Sequence, residues 1–182
     1  PIRTTITRFG PVMLAKVLGL NETQESSLGL IFYYAESKVL PLIDIADLQS
    51  LLGFLTSEDG RAEIQQIGGL SRQTTGVIQR AVIGFAQQGA DVFFGEPAFE
   101  PADVIRLAPD GTGIVSLLEV PGVQDRPALF STFLMFILSE LFEALPEVGD
   151  QDKPKLVFFF DEAHLLFADA SKAFLQKITQ TV

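Results

Sequence analysis

Cysteine is absent from the 182 residues and histidine occurs once, at 164. The first absence excludes a disulfide framework and a thiolate metal site, and the second excludes a site built from several histidines. The dipeptide Gly-Lys is also missing: the lysines at 16, 38, 153, 155, 172 and 177 follow Ala, Ser, Asp, Pro, Ser and Gln. The chain therefore carries no GxxxxGK[ST] phosphate loop. Positive charge is scarce, with 13 Lys and Arg against 23 Asp and Glu and a net charge of −10. That balance argues against a surface that is a nucleic-acid footprint throughout. Two local basic pairs remain, Arg3 with Arg8 and Arg72 with Arg80, and scattered solvated charge is the simpler account of each.

No apolar run is long enough to cross a bilayer. The longest candidate, LFSTFLMFILSELF at Leu129–Phe142, is interrupted by Ser131, Thr132, Ser139 and Glu140, and reads as a buried helix. No basic segment with a cleavage site precedes an apolar stretch at the start, so a cytoplasmic location is the expectation. The chain opens at Pro1 and stops at Val182 within a stretch of helical composition, as an excerpt of a longer protein would.

What is present is apolar: 47% of residues are hydrophobic and 16 are Phe, enough to build a core. From Asn21, a plausible N-cap with Gln24 three residues on, Leu28, Ile31, Phe32 and Ala35 fall at helical spacing. Asp47 precedes a second amphipathic set, Leu48, Leu51, Leu52 and Leu55, and TSEDGRAE reads as a loop around Asp59-Gly60. A third helix is expected from Ser71 or Thr74 to Gln88, stopped by Gly89. Residues 1–90 are thus expected to form a helical subdomain and 91–182 an α/β part. In the latter, GIVSLLEV (Gly113–Val120) reads as a strand, Ala128–Leu145 as a long helix and Leu156–Phe160 as a second strand. Strand, helix, strand predicts a right-handed βαβ unit with parallel strands.

The stretch KPKLVFFFDEAH, Lys153–His164, carries the chemistry. Five apolar residues end in two carboxylates, Asp161 and Glu162, which would be costly to bury unpaired and so belong where the apolar segment emerges. This is the form of a Walker B element: one carboxylate holds the Mg²⁺ of a bound nucleotide, and its neighbour orients or deprotonates the attacking water. The competing account is that Asp161 caps a following helix and Glu162 favours its first turn. His164 is either a polar contact that couples the site to its surroundings or an ordinary helix histidine. The glycines of DGTG, Gly111 and Gly113, lead into an extended segment and read as a turn, not a phosphate cradle.

Four stretches together, PIRTTITRFGPVMLAKVLGLNETQESSLGLIF, IQRAVIGFAQQGADVFFGEPA, LFSTFLMFILSELFEALPEVGD and KPKLVFFFDEAHLLF, resemble the YjgR-like bacterial ATPases of the HerA/FtsK branch of the P-loop superfamily. The resemblance covers essentially the whole chain. It implies a RecA-like core interrupted by a helical insertion, ATP and Mg²⁺ as cofactors, Asp161 as the Mg²⁺-associated aspartate and Glu162 as the catalytic glutamate. It also implies duplex DNA as the translocated partner and a homo-oligomeric ring, a hexamer. The phosphate loop would then lie before Pro1, and the polar sensor and the arginine finger after Val182, so this segment alone is expected to be inactive. Two other readings stand beside it. IQQIGGLSRQTTGVIQRAVIGFAQQGA could be a helix-turn-helix reader in which Arg72, Gln73, Thr74, Gln79 and Arg80 face nucleic acid. Alternatively, the chain is an assembly module whose apolar helix at 129–142 packs on a neighbour.

Overall fold

The computed structural model describes residues 2–118, 127–145, 149 and 152–160. The chain divides into two compact units, Pro1–Ala98 and Phe99–Val182.

The first unit is helical: α1 (Ile6–Phe9), α2 (Pro11–Val17), α3 (Glu22–Ser37), α4 (Ile45–Thr56), α5 (Glu58–Gln65) and α6 (Arg72–Gln87), then a 3-10 turn at Ala90–Phe93. Local chemistry sets the starts. At α3 the Asn21 side chain accepts from the Gln24 N–H and the Gln24 side chain accepts from the Asn21 N–H, both at 3.0 Å, which is a complete capping box. At α4 the cap is Asp44, which accepts from the Asp47 N–H at 2.9 Å. Asp47 is therefore the third helical residue, and its carboxylate accepts from the N–H groups of Ile43 and Asp44. The expected loop at TSEDGRAE is instead α5, capped by Ser57 through the Gly60 N–H at 3.2 Å. Glu58 and Asp59 sit in its first turn, where the helix dipole favours them. Gly60 is a contact residue, since a Cβ there would collide with the Phe54 carbonyl of α4.

Packing follows the apolar stripes. α3 lies on α2 and α6, and α4 on α5 and α6. The core joins Leu28, Ile31 and Ala35 to Leu48, Leu52, Leu55, Ile64, Ile78 and Val82. Buried Thr75 donates its hydroxyl to the Ser71 carbonyl at 2.9 Å, so its polarity is satisfied within α6. The start of the unit is clasped to its end: Thr4 donates to the Phe93 carbonyl and Gly95 donates to the Thr4 carbonyl, each at 2.9 Å. The rings of Phe9 and Phe85 meet Phe94 edge-on, at 5.3 and 6.2 Å between centroids, and seal that closure.

α3 ends in a left-handed residue, as many helices do, but the residue is Val39, at φ 55°. The Leu40 N–H reaches the Ala35 carbonyl at 2.8 Å, which fixes that backbone in place. A β-branched side chain is strained there, and Val39 is 85% exposed, so it recovers little by packing. Val39→Gly is expected to raise stability by about 0.5–1 kcal/mol, read as a higher urea midpoint. A lower midpoint would show that the valine contributes contacts that outweigh the strain.

The second unit holds α7 (Ala102–Ile105) and α8 (Pro127–Ala144). The long helix expected at 128–145 is α8, whose Phe133, Leu134, Phe136, Ile137, Leu138 and Leu141 are buried. Among the described residues no helix is long and apolar enough to cross a membrane. The α/β expectation is overturned: among the described residues there is no strand and no sheet, so neither a βαβ unit nor a RecA-like core is present. Residues 114–118 and 156–160 are without regular structure, and an antiparallel bridge pairs Leu107 with Gly113. Runs of Ile, Val, Leu and Phe record a preference for pleated, half-buried surroundings, and only a neighbouring ladder turns that preference into a strand.

Candidate functional site

Asp161, Glu162 and His164 lie outside the described residues, as do 161–182 as a whole. The segment that leads to them is described. Phe158 and Phe160 stack with centroids 5.8 Å apart and planes 7° from parallel. Val157, Phe158, Phe159 and Phe160 are all exposed, Phe159 to 92%. The strand expected over Leu156–Phe160 is therefore corrected: the apolar lead-in to the carboxylate pair is an irregular, solvent-facing aromatic segment. The reason is the one that removed the strand, the lack of a neighbouring ladder among the described residues.

The DGTG segment behaves as the turn expected of it. Gly111 takes φ 81°, a conformation that suits glycine. Its N–H donates to the Ala108 carbonyl at 2.8 Å, and Ala108 donates to the Thr112 carbonyl at 2.9 Å. Asp110 accepts from the Thr112 hydroxyl at 2.6 Å and from its N–H at 3.0 Å. These bonds, led by the hydroxyl, hold the Asp110 carboxyl below its usual range. Donors already used within the turn, beside a carboxylate, do not fit a phosphate. Among the described residues no group of His, Cys, Asp or Glu has the arrangement of a metal site. Asp161 and Glu162 offer hard carboxylate oxygens, the donor type that Mg²⁺ takes.

A cluster that the sequence did not announce joins α3 to α5. The Tyr34 hydroxyl donates to Glu63 at 2.9 Å, and the Lys38 ammonium pairs with the same carboxylate oxygen at 2.6 Å. Burial, then the bond to Glu63, raises the Tyr34 phenol. Glu63 is held low, first by Lys38 and then by Tyr34, while Lys38 is raised by Glu63. Tyr34 and Lys38 stand one helical turn apart, which the sequence does show; their partner lay in the segment read as a loop. The cluster braces two helices.

The basic pairs separate. The Arg3 guanidinium donates to the Glu96 carbonyl at 3.3 Å and so belongs to the clasp. Arg72 and Arg80 are both exposed on α6, with Gln73 and Gln87 also exposed. Gly76 lies between them, and a Cβ there would be 3.5 Å from an Arg80 guanidinium nitrogen. The Arg80 side chain thus folds back over Gly76. α5, the connection 66–71 and α6 do form a helix, loop and helix, but α6 packs on α3 and α4, and the connection is longer than the three or four residues of a compact helix-turn-helix. Of the five residues proposed to face nucleic acid, Thr74 and Gln79 are half-buried, leaving Arg72, Gln73 and Arg80 open.

No curated protein and no solved structure matches the chain. A family match does exist and runs from residue 1 to residue 182, the whole length. By that match the chain belongs to the helicase HerA-like C-terminal family.

Proposed function

We propose that this chain is the segment of a HerA-like motor protein that carries its nucleotide-handling carboxylates, and that the intact protein hydrolyses ATP with Mg²⁺ in a process coupled to duplex DNA. The supporting observation is the coincidence of full-length family membership with one adjacent acidic pair, Asp161-Glu162, directly after an apolar run. Mg²⁺, when bound, neutralises charge on the phosphates. Asp161 holds that ion, and Glu162 positions a water and accepts its proton. A ring of identical chains goes with the same reading through its family membership.

The two carboxylates are distinguishable by experiment. In the intact protein Asp161→Asn is expected to weaken Mg²⁺-dependent ATP binding about tenfold or more, since a neutral amide is a poorer ligand for a hard cation. Glu162→Gln is expected to leave that binding within about twofold, because the change falls on the attacking water. Fluorescent-nucleotide titrations with and without Mg²⁺ measure both. Equal loss in the two variants would overturn the division of roles, and no loss in either would return the pair to helix capping.

A further inference from the structure

We infer that residues 38–41, the tip that follows α3, dock into the groove between α2 and α3 of a second copy of this chain. The proposed function names no surface through which copies meet, and this contact does not depend on its ATP chemistry. The tip is Lys38, Val39, Leu40 and Pro41, all four exposed. Its backbone is held at both ends. Leu40 donates to the Ala35 carbonyl at 2.8 Å, and Leu42 donates to the Thr7 hydroxyl at 2.9 Å while its carbonyl accepts from the Thr7 N–H. Two apolar side chains are thus presented to solvent on a fixed frame, so little ordering is left to do when a partner arrives. Val39 adds the sharper observation. A β-branched residue in the left-handed region is strained, and at 85% exposure no packing among the described residues offsets that strain. Strain of this kind is kept where a residue has a task beyond its own fold.

The groove has the complementary features. It measures about 340 Å³ and is lined by Pro11, Val12, Glu22, Glu25, Ser26 and Gly29. Val12 is 51% exposed, and a Cβ on Gly29 would meet nothing within 4 Å, so apolar surface is open there. Glu22 and Glu25 bring negative charge, and among the described residues neither is in an ion pair. The tip brings the opposite sign. Lys38 pairs with Glu63 yet remains 51% exposed, and an ammonium has three N–H donors, which leaves some for a second carboxylate. One copy does not satisfy itself, because Glu25 and Lys38 stand at opposite ends of α3, about 20 Å apart at 1.5 Å per residue. A second copy is the occupant that carries both halves, apolar tip with cation and apolar groove with acids. Since the two surfaces differ, the contact is heterologous, head to tail. Four residues bury less than the roughly 1,200 Å² of a standard interface, so alone this contact is transient and grows with concentration.

The test is sedimentation velocity of the chain without nucleotide, over a range of concentrations. Wild type is expected to self-associate reversibly. Val39→Gly should weaken that association about tenfold while raising the urea midpoint, an opposition that a loss of folding does not produce. Glu22→Gln/Glu25→Gln removes two of the 23 acids, which by net charge alone would favour association. The contact predicts a weakening of about fivefold instead. Glu58→Gln/Asp59→Asn removes the same charge from exposed positions on α5 and should not weaken association. Because the chain has no cysteine, a mixture of Val39→Cys and Val12→Cys chains reports the pairing directly. Mild oxidation is expected to link them at least about tenfold faster than Val39→Cys with Val115→Cys, although Val115 is more exposed than Val12. A wild type that stays monomeric, a Val39→Gly variant that associates as wild type does, a double glutamine variant that associates more strongly, or equal linking rates would each overturn the contact. Copies that assemble through other surfaces give the second of these outcomes. Hydrolysis lost in Glu162→Gln bears on none of them, so the contact and the ATPase reading stand or fall separately.

Discussion

Glu162→Gln in the intact protein is expected to lower ATP turnover by about a hundredfold or more while leaving Mg²⁺-nucleotide binding in place. A positioned general base contributes typically about 10²–10⁴-fold, and glutamine keeps the size and hydrogen-bonding reach of glutamate while losing its ability to accept a proton. The loss should therefore fall on kcat with KM little changed. Steady-state hydrolysis, wild type against variant, with and without duplex DNA, reads both quantities. Wild-type activity that rises with DNA, together with a silent variant, would support a DNA-coupled motor with Glu162 at its chemical step. No hydrolysis in the wild type would shift the weight to a binding or assembly role, with both carboxylates as capping residues.

The largest stability effect is expected at Leu52. This side chain is fully buried on α4, the helix that packs against both α5 and α6. Leu52→Ala removes buried methyl groups and leaves a cavity among helices already fixed by their caps, so about 3–5 kcal/mol should be lost. Phe54, two residues on, is 39% exposed and touches Tyr34 with ring centroids 6.5 Å apart. Phe54→Ala should cost distinctly less than Leu52→Ala, despite deleting the larger side chain. Urea denaturation followed by circular dichroism measures both. Equal losses would mean that α4 is not the centre of this core.

The helical part of this fold was legible because its signals are local. A capping box needs four residues, and Asn21 with Gln24 supplied one. The start of α4 was displaced because two aspartates, 44 and 47, satisfy the same motif from opposite ends. α5 was missed because Asp59-Gly60 is a turn signature on its face. Gly60 is there for a different reason, its approach to the Phe54 carbonyl, which only the tertiary structure reveals. The βαβ reading failed because pairing is a property of two segments, while each run was judged alone. As for the site, Asp161 and Glu162 stand out by residue type and position, but the Tyr34–Glu63–Lys38 brace was not legible, since Tyr34 and Glu63 are 29 residues apart in sequence.

The clasp at Thr4 has a consequence for how such a unit can be carried. Everything between Thr4 and Phe94 leaves and returns at one point, with the two backbones hydrogen-bonded side by side. Paired backbones lie about 5 Å apart, so a host chain would meet this bundle as a short detour with adjacent entrance and exit. Lengthening, trimming or exchanging helices between α1 and α6 would alter what hangs from that doorway, while Phe9 of α1 and Phe85 of α6, packed on Phe94, keep its posts in place.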